Sequence, residues 1–417
     1  ITERDWSSDV CSSDLIGDGN RVDVLCHSTG ALVTRVWLAS RRRWRRERGL
    51  PPDSPVHRLF MFAPANFGSD LARMGQSFLG KLRCTFFNKN AFTKDRWESG
   101  RIVLQGLEPA SPFQWRLSMA DLHEETYLGE HDPSGELCLP FVFAAGNGYE
   151  KGIEKKVVKE RNKPGTDGAI RICGTSLNTR KATLRCSASG PEFLWAEERK
   201  HDRMPFAVFQ GFNHGSIINP DETAWLADIG PGTAFQRALK VNTLKQYQAV
   251  ATTFDTINQR NYEQSTGDNG DNYQQFFFRV RDDAEFSIED YYIDFFVEKM
   301  GGGQHKALSR EFEEKFKSKF TVHSQDRSMR VFLINLKELG GFLGRLREAR
   351  ATIRMQIHAR KPHSEINYDP ITFPLYDTTK PIDGQPTLLY RNTTTLIEIV
   401  LNRKQSDKVL QIRKSGN

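Results

Sequence analysis

Short apolar runs separated by longer mixed stretches mark the first half of the chain. Each run is rich in branched or aromatic residues and is followed by small or turn-forming ones, and the four runs lie at residues 22–26, 56–63, 139–146 and 204–211. Continuous apolar runs of this length are typical of strands that are buried on both faces of a parallel sheet. Alternation with longer stretches therefore predicts an α/β fold.

The stretch after residue 30 has helical periodicity. Leu32, Val33, Val36 and Trp37 fall on one helix face, and the sequence GLPP at residues 49–52 ends the helix. Residues 68–137 form an insertion of mixed helical and aromatic content, which is too long to be a bare loop.

The pattern changes from about residue 244. A helical connector leads into a polar stretch, QSTGDNGDN, so that residues 244–272 are predicted to be connector and linker. Five β-rich runs follow, at residues 274–282, 288–299, 330–336, 351–359 and 393–402. Turn residues separate these runs, which predicts an antiparallel sandwich in residues 273–417.

Length and composition limit the classes of protein that fit. The 417 residues, 38% of them hydrophobic, are enough for two cores. The net charge of +7 is modest for this length, and a nucleic acid is not an expected partner. The six cysteines contain no C-x-x-C pair, which disfavours a zinc cluster or a disulfide framework. The loop at residues 268–272 lacks the spacing of an EF-hand, and no metal site is predicted.

Residues 5–15 read DWSSDVCSSDL, which resembles the conceptual translation of a common short-read sequencing adapter. We therefore interpret residues 1–15 as an artefactual leader and leave them out of the fold. No apolar segment follows, as it would in a signal peptide. On this interpretation the genuine sequence begins inside the protein, and the compartment, cytoplasmic or exported, stays open.

Ser28 lies where a predicted strand meets a predicted helix, in the sequence CHSTG. A sharp strand-to-helix turn of this kind, a nucleophile elbow, lifts a serine hydroxyl above the edge of a sheet. Small residues at Cys26 and Gly30 suit that turn, although glycine is preferred at the first position. The backbone N–H of Thr29, at the helix N-terminus, is the expected oxyanion donor. The tripeptide Ser-Thr-Gly recurs at residues 265–267 without such a context, so a structural turn serine remains the alternative.

A nucleophilic serine needs a base, and the base needs an orienting carboxylate. Asp167 lies in PGTDGAIR, downstream of the third apolar run, and His214 lies in GFNHGS, directly after the fourth. Both residues follow strands, in the order Ser, Asp, His. An ordinary Asp-Gly turn at Asp167 and an alternative acid at Asp202 stay open, and His27 is interpreted as structural.

With Ser28, Asp167 and His214 in this order, the sequence resembles the serine esterases and lipases of the α/β-hydrolase superfamily. The stretch FAPANFGS at residues 62–69 also resembles the lipase segment that precedes a lid. The resemblance covers residues 22–219 and implies a truncated α/β-hydrolase parallel sheet in residues 16–243, with a helical lid or cap at residues 68–137. A β-sandwich-like domain follows it.

The resemblance implies a carboxylic ester hydrolase, whether lipase, phospholipase or esterase. Such an enzyme acts on an ester or lipid substrate through an acyl-enzyme, without metal or organic cofactor. An amidase or a thioesterase would use the same triad. A non-catalytic binding protein on the same scaffold is the alternative of a different class.

The second oxyanion donor of these enzymes comes from a loop upstream of the elbow. Only about a dozen residues separate the predicted leader from Ser28, so we expect this chain to be inactive or nearly so. The arginine run at residues 41–46 is interpreted as a solvated helix end. Peripheral contact with an anionic membrane lipid is the alternative for that run.

Overall fold

A computed structural model describes residues 21–74, 104–124, 138–149, 164–187, 190–195, 204–218, 222–264, 272–316, 320–360, 366–377 and 389–405. The leader predicted at residues 1–15, most of the predicted lid insertion and the polar stretch at residues 265–271 lie outside the described residues.

The strands are β1 Val22–His27, β2 Val56–Phe62, β3 Leu139–Ala145, β4 Arg180–Ser187, β5 Gly190–Trp195, β6 Phe206–Phe209, β7 Tyr273–Asp282, β8 Tyr291–Lys299, β9 Phe320–Val322, β10 Met329–Asn335, β11 Ala351–Ala359, β12 Ile366–Tyr368, β13 Ile371–Asp377, β14 Thr393–Leu401 and β15 Arg403–Gln405. The α-helices are α1 Gly30–Glu47, α2 Pro112–Ser118, α3 Glu222–Trp225, α4 Pro231–Ala238, α5 Leu244–Gln264, α6 Lys306–Phe316 and α7 Leu336–Glu348. Short 3-10 turns lie at Asp70–Met74 and Ile172–Gly174, and a π-helical turn lies at Met119–Glu124.

Four parallel strands form the first sheet, in the order β1-β2-β3-β6. These are the four apolar runs, and their parallel pairing confirms the predicted α/β class. Phe62 and Phe143 stack across neighbouring strands with ring centroids 4.6 Å apart. Among the described residues β1 is an edge strand, and Leu25 is 57% exposed there.

Helices cover both faces of this sheet. On one face, Ala31 and Leu38 of α1 belong to the same buried cluster as Met61 and Val142. On the other, α4 and α5 cover the phenylalanines of β2 and β3, and the ring of Phe254 meets that of Phe143 edge-on. Burial on both faces explains why β2, β3 and β6 read as apolar runs rather than as alternating ones, whereas the edge strand β1 is only partly buried.

The C-terminal half is β-rich, as predicted, and contains two larger sheets. One has the strand order β5-β4-β14-β7-β10-β9 and the other β13-β11-β8. Side chains of both sheets share one buried core with α6 and α7, as in a sandwich. The larger sheet is mixed rather than purely antiparallel, because β14 lies parallel to both β4 and β7.

The hairpin β4–β5 lies in the first half of the sequence, yet β4 pairs with β14. Phe67, just after the first sheet's second strand, also packs edge-on against Phe277 of β7. The two regions therefore share both a sheet and a core, and the division at residue 243 stays a prediction. Among the described helices, none has the length and apolar character that a bilayer span requires.

Candidate active site

Ser28 occupies a sharp turn between β1 and α1. Its φ of 56° is in the left-handed region, which costs a residue other than glycine about 1–3 kcal/mol. The turn is held from both sides, because Ser28 N–H donates to Phe62 O at 3.0 Å and Ser28 O accepts from Ala65 N–H at 3.1 Å. The surrounding backbone thus fixes a strained serine at the carboxyl end of the sheet.

The small residues around Ser28 have a direct steric reason. A Cβ placed on Gly30 would lie 3.3 Å from the Cβ of Cys26, already at the tight end of van der Waals contact. A larger side chain at either position would force the strand and the helix apart. The Cys26 thiol donates to Phe60 O at 3.5 Å, and burial raises its pKa to about 12, so it stays protonated.

The structure brings Ser28, Asp167 and His214 together. The distance from His214 Nε2 to Ser28 Oγ is 3.0 Å, and that from His214 Nδ1 to Asp167 Oδ2 is 2.9 Å. A carboxylate only accepts, so Nδ1 carries the proton and Nε2 is left to accept from the serine hydroxyl. Asp167 and His214 are only 1% and 5% exposed.

Asp167 is held by the tight loop that carries it. Its Oδ1 accepts from the backbone N–H groups of Ala169, at 2.9 Å, and Ile170, at 2.7 Å, which leaves Oδ2 for the histidine. Gly168 makes this loop possible: its φ is +95°, and a Cβ there would come within 2.4 Å of the Tyr149 ring. The geometry of the loop therefore requires glycine directly after Asp167.

The C-terminal sheet supports the same loop from behind. The ring of Tyr273 packs on Gly165, where a Cβ would come within 2.6 Å of it. The Thr394 hydroxyl of β14 donates to Cys173 O at 3.0 Å. The candidate acid thus depends on contacts with both halves of the chain.

His214 lies in a turn after β6 that Asn213 stabilises. Asn213 Oδ1 accepts from the backbone N–H groups of Gly215 and Ser216, at 3.0 and 2.9 Å. The His214 N–H donates to Asp167 O at 2.9 Å, so that main chain and side chain both join the base to the acid. This role of Asn213 was not predicted from the sequence, and its position directly before a loop histidine is the one sequence signal that could have indicated it.

Thr29 is the N-cap of α1, with φ −64° and ψ −20°. The N–H groups at a helix N-terminus have no partner inside the helix and carry its positive dipole. The backbone N–H of Thr29 follows the serine directly and can meet a negative oxygen that forms there.

His27 contacts the base, which the sequence did not indicate. Its Nε2 lies 2.8 Å from His214 O, and the two imidazole rings are 4.7 Å apart between centroids. Burial, followed by repulsion from His214, lowers the pKa of His27 to about 4. His27 is therefore neutral near pH 7.

The other candidates have separate outcomes. Asp202, the alternative acid, lies outside the described residues. In the arginine run, Arg41 pairs with Asp53 at 2.6 Å and Arg43 with Glu47 at 2.8 Å, so these two charges are neutralised within the molecule. Contact of this run with a membrane stays a prediction. Within the described part of the chain, no three His, Cys, Asp or Glu side chains cluster as a metal centre would.

No model of a known protein family matches the sequence, and no curated protein matches it. Among solved structures, the chain is similar to the phospholipase PlaB from Legionella pneumophila, with a TM-score of 0.74 and 19% identity over 97% of this chain and 82% of that one. It is also similar to PlaB in complex with thio-NAD, with a TM-score of 0.73 and 20% identity over 97% and 82% of the two chains. A likeness at this identity establishes the fold alone: this chain shares the fold of PlaB along nearly its whole length, and the parallel sheet covered by helices on both faces is the α/β part of that fold.

Proposed function

We propose that this protein is a serine hydrolase of carboxylic esters, with Ser28 as nucleophile, His214 as general base and Asp167 as the acid that orients the base. The observation that carries the proposal is the continuous relay from Ser28 Oγ through His214 to Asp167, with links of 3.0 and 2.9 Å. A turn serine with a purely structural role needs neither of these links.

The relay supports acyl transfer in two steps. Ser28 Oγ attacks the ester carbonyl carbon while His214 Nε2 takes the hydroxyl proton, and Asp167 stabilises the imidazolium. The carbonyl oxygen becomes an oxyanion beside the Thr29 N–H. When this tetrahedral intermediate collapses, the carbon–oxygen bond to the alcohol breaks, and His214 gives the proton to the leaving alkoxide. Water then attacks the acyl-enzyme by the same route, with His214 again as base.

A lipid ester is the substrate class that we propose. The support is the likeness over 97% of the chain to a protein described as a phospholipase. Amides and thioesters can react by the same relay. Rates measured on an ester, an amide and a thioester with the same acyl group test whether an ester is the preferred substrate.

Labelling by a fluorophosphonate probe tests the nucleophile separately from turnover. We expect the folded protein to be labelled at Ser28, as located by peptide mass spectrometry, and the Ser28→Ala variant to resist the probe. Ser40→Ala is the matched control, because Ser40 is exposed on α1 and outside the relay. Failure of the folded protein to react, or labelling that survives Ser28→Ala, would overturn the proposal.

Turnover is then measured on a short-chain nitrophenyl ester and on phosphatidylcholine vesicles. Ser28-dependent release of fatty acid from the vesicles supports the lipid class. Hydrolysis of the soluble ester alone, with no release from vesicles, would replace a lipase or phospholipase by a soluble esterase.

A further inference from the structure

His27 and the acid contact different main-chain groups of the base. His214 lies in a turn, so no helix or strand hydrogen bonds fix its peptide groups. Its N–H donates to Asp167 O at 2.9 Å, and its carbonyl oxygen lies 2.8 Å from His27 Nε2. The acid and His27 thus restrain the two peptide groups that flank the Cα of the base.

The His27 ring also limits where the imidazole of His214 can lie. The ring centroids are 4.7 Å apart and the planes are inclined by 45°, so the two rings are in contact. His27 directly precedes Ser28 on the strained turn, and its own position is set by the register of β1 with Phe62. The nucleophile and this support for the base are therefore built on the same short segment.

The contact fixes the protonation of His27. A carbonyl oxygen only accepts, so Nε2 must carry a proton and donate it. A second proton on Nδ1 would place a cation beside His214, which itself becomes positive when it takes the serine proton. Burial is the largest cause that disfavours a positive charge on His27. Of the ionisable groups that face His27, His214 also disfavours that charge, and Asp167 favours it.

We propose that His27 is a positioning residue for the reaction, a neutral Nε2–H donor that keeps His214 in the rotamer that reaches Ser28. This inference rests on the proposed function, because it assigns a partner to the proposed base. His27 is not assigned contact with the substrate. It acts only through His214.

Paired substitutions separate the donor from the bulk of the ring. In His27→Gln the Nε2 of glutamine replaces the lost donor, whereas His27→Leu fills space without one. We expect the rate constant for fluorophosphonate labelling to fall about 10-fold or more in His27→Leu and to stay within about 3-fold in His27→Gln. For the hydrolysis of a soluble ester, kcat should fall while KM changes little. His57→Gln on β2 is the matched control and should label at the normal rate.

Each outcome bears on one conclusion. Absence of labelling in the unsubstituted protein overturns the proposed function. Normal labelling of the unsubstituted protein with equally fast labelling of His27→Leu overturns only the role of His27. Equal loss in both His27 variants, accompanied by lowered melting temperatures, would show that His27 only packs.

A spectroscopic measurement tests the inference without activity. In the protein labelled with ¹⁵N-histidine, long-range imidazole spectra should show His27 as the Nε2–H tautomer and neutral at pH 6. The resonances of His214 should move in His27→Leu and return towards their original positions in His27→Gln. A His27 that carries its proton on Nδ1, or that titrates near pH 6.5, would refute the inference.

Discussion

Replacement of Asp167 by asparagine should abolish most of the activity without unfolding the loop. Asp167 Oδ1 accepts two backbone N–H groups, and the asparagine oxygen must take that place because its NH₂ group cannot accept. The NH₂ group then faces His214 Nδ1 across a distance of 2.9 Å in the present structure. Nδ1 is forced to accept, so the imidazole proton moves to Nε2, which can no longer take the proton of Ser28.

The size of the loss follows from the tautomer. An aspartate-to-asparagine change that inverts the histidine in a serine triad lowers kcat by about 10⁴-fold, equivalent to about 5.4 kcal/mol of transition-state stabilisation. We expect a comparable fall in the rate of fluorophosphonate labelling for Asp167→Asn. The melting temperature should change little, because both backbone hydrogen bonds to the side chain are kept.

Two further variants make this test specific. Asp167→Ala removes the acceptor for the buried N–H of Ile170 and the half-buried N–H of Ala169, and should lower stability by up to about 1–3 kcal/mol for each group left unpaired. Asp228→Asn is the matched control, because the side chain of Asp228 is 86% exposed and takes no part in the relay. Our reasoning would be refuted by an Asp167→Asn protein that is folded and retains more than about a tenth of the normal labelling rate.

Three other predictions concern stability. Gly168→Ala should lower the melting temperature, because φ is +95° and the ring of Tyr149 occupies the place of a Cβ. Gly340→Ala is the control: it lies in a helix with open space at the Cβ position, and it should be neutral or stabilising by up to about 1 kcal/mol. Arg35→Met leaves Asp121 buried without its partner and should lower the free energy of unfolding in urea by about 3–5 kcal/mol. The double variant Arg35→Met/Asp121→Leu should recover much of that loss. The pKa of His27 is about 4 when folded and near 6.5 when unfolded, so the unfolded chain binds more protons between these values. The stability that neutral His27 gives above pH 6.5 should therefore be lost as the pH falls towards 4. The His27→Gln protein should lack this loss. If the difference in melting temperature between the unsubstituted protein and His27→Gln were the same at pH 7 and at pH 5, this prediction would be wrong.

The first sheet was predictable because each of its strands lies in an apolar run that ends in turn residues. The strands β2, β3 and β6 are mostly or wholly buried, and the edge strand β1 shows the same sequence pattern although it is only partly buried. The elbow was predictable for a related reason, since Cys26 and Gly30 must be small where a strand turns directly into a helix. The candidate acid and base could be nominated because each follows one of these strands.

The contacts between distant segments could not be predicted in this way. The strand β4 reads RKATLRCS, with no apolar run, and its place beside β14 depends on a partner more than 200 residues away. The hydrogen bond from His27 to His214 likewise spans 187 positions. Local pattern contains no information about such pairings, which are decided by how whole sheets pack.

The central place of β14 has a consequence for synthesis on the ribosome. This strand lies between β4 and β7, and its Thr394 hydroxyl secures the segment that follows the acid loop. A nascent chain from which residues 393–401 have not yet emerged therefore holds two sheet edges that have no neighbour, β4 on one side and β7 on the other. Exposed edges of this kind invite pairing between chains. Translation that stalls before β14 should therefore yield aggregates, whereas release of the longer polypeptide should let β14 close the sheet.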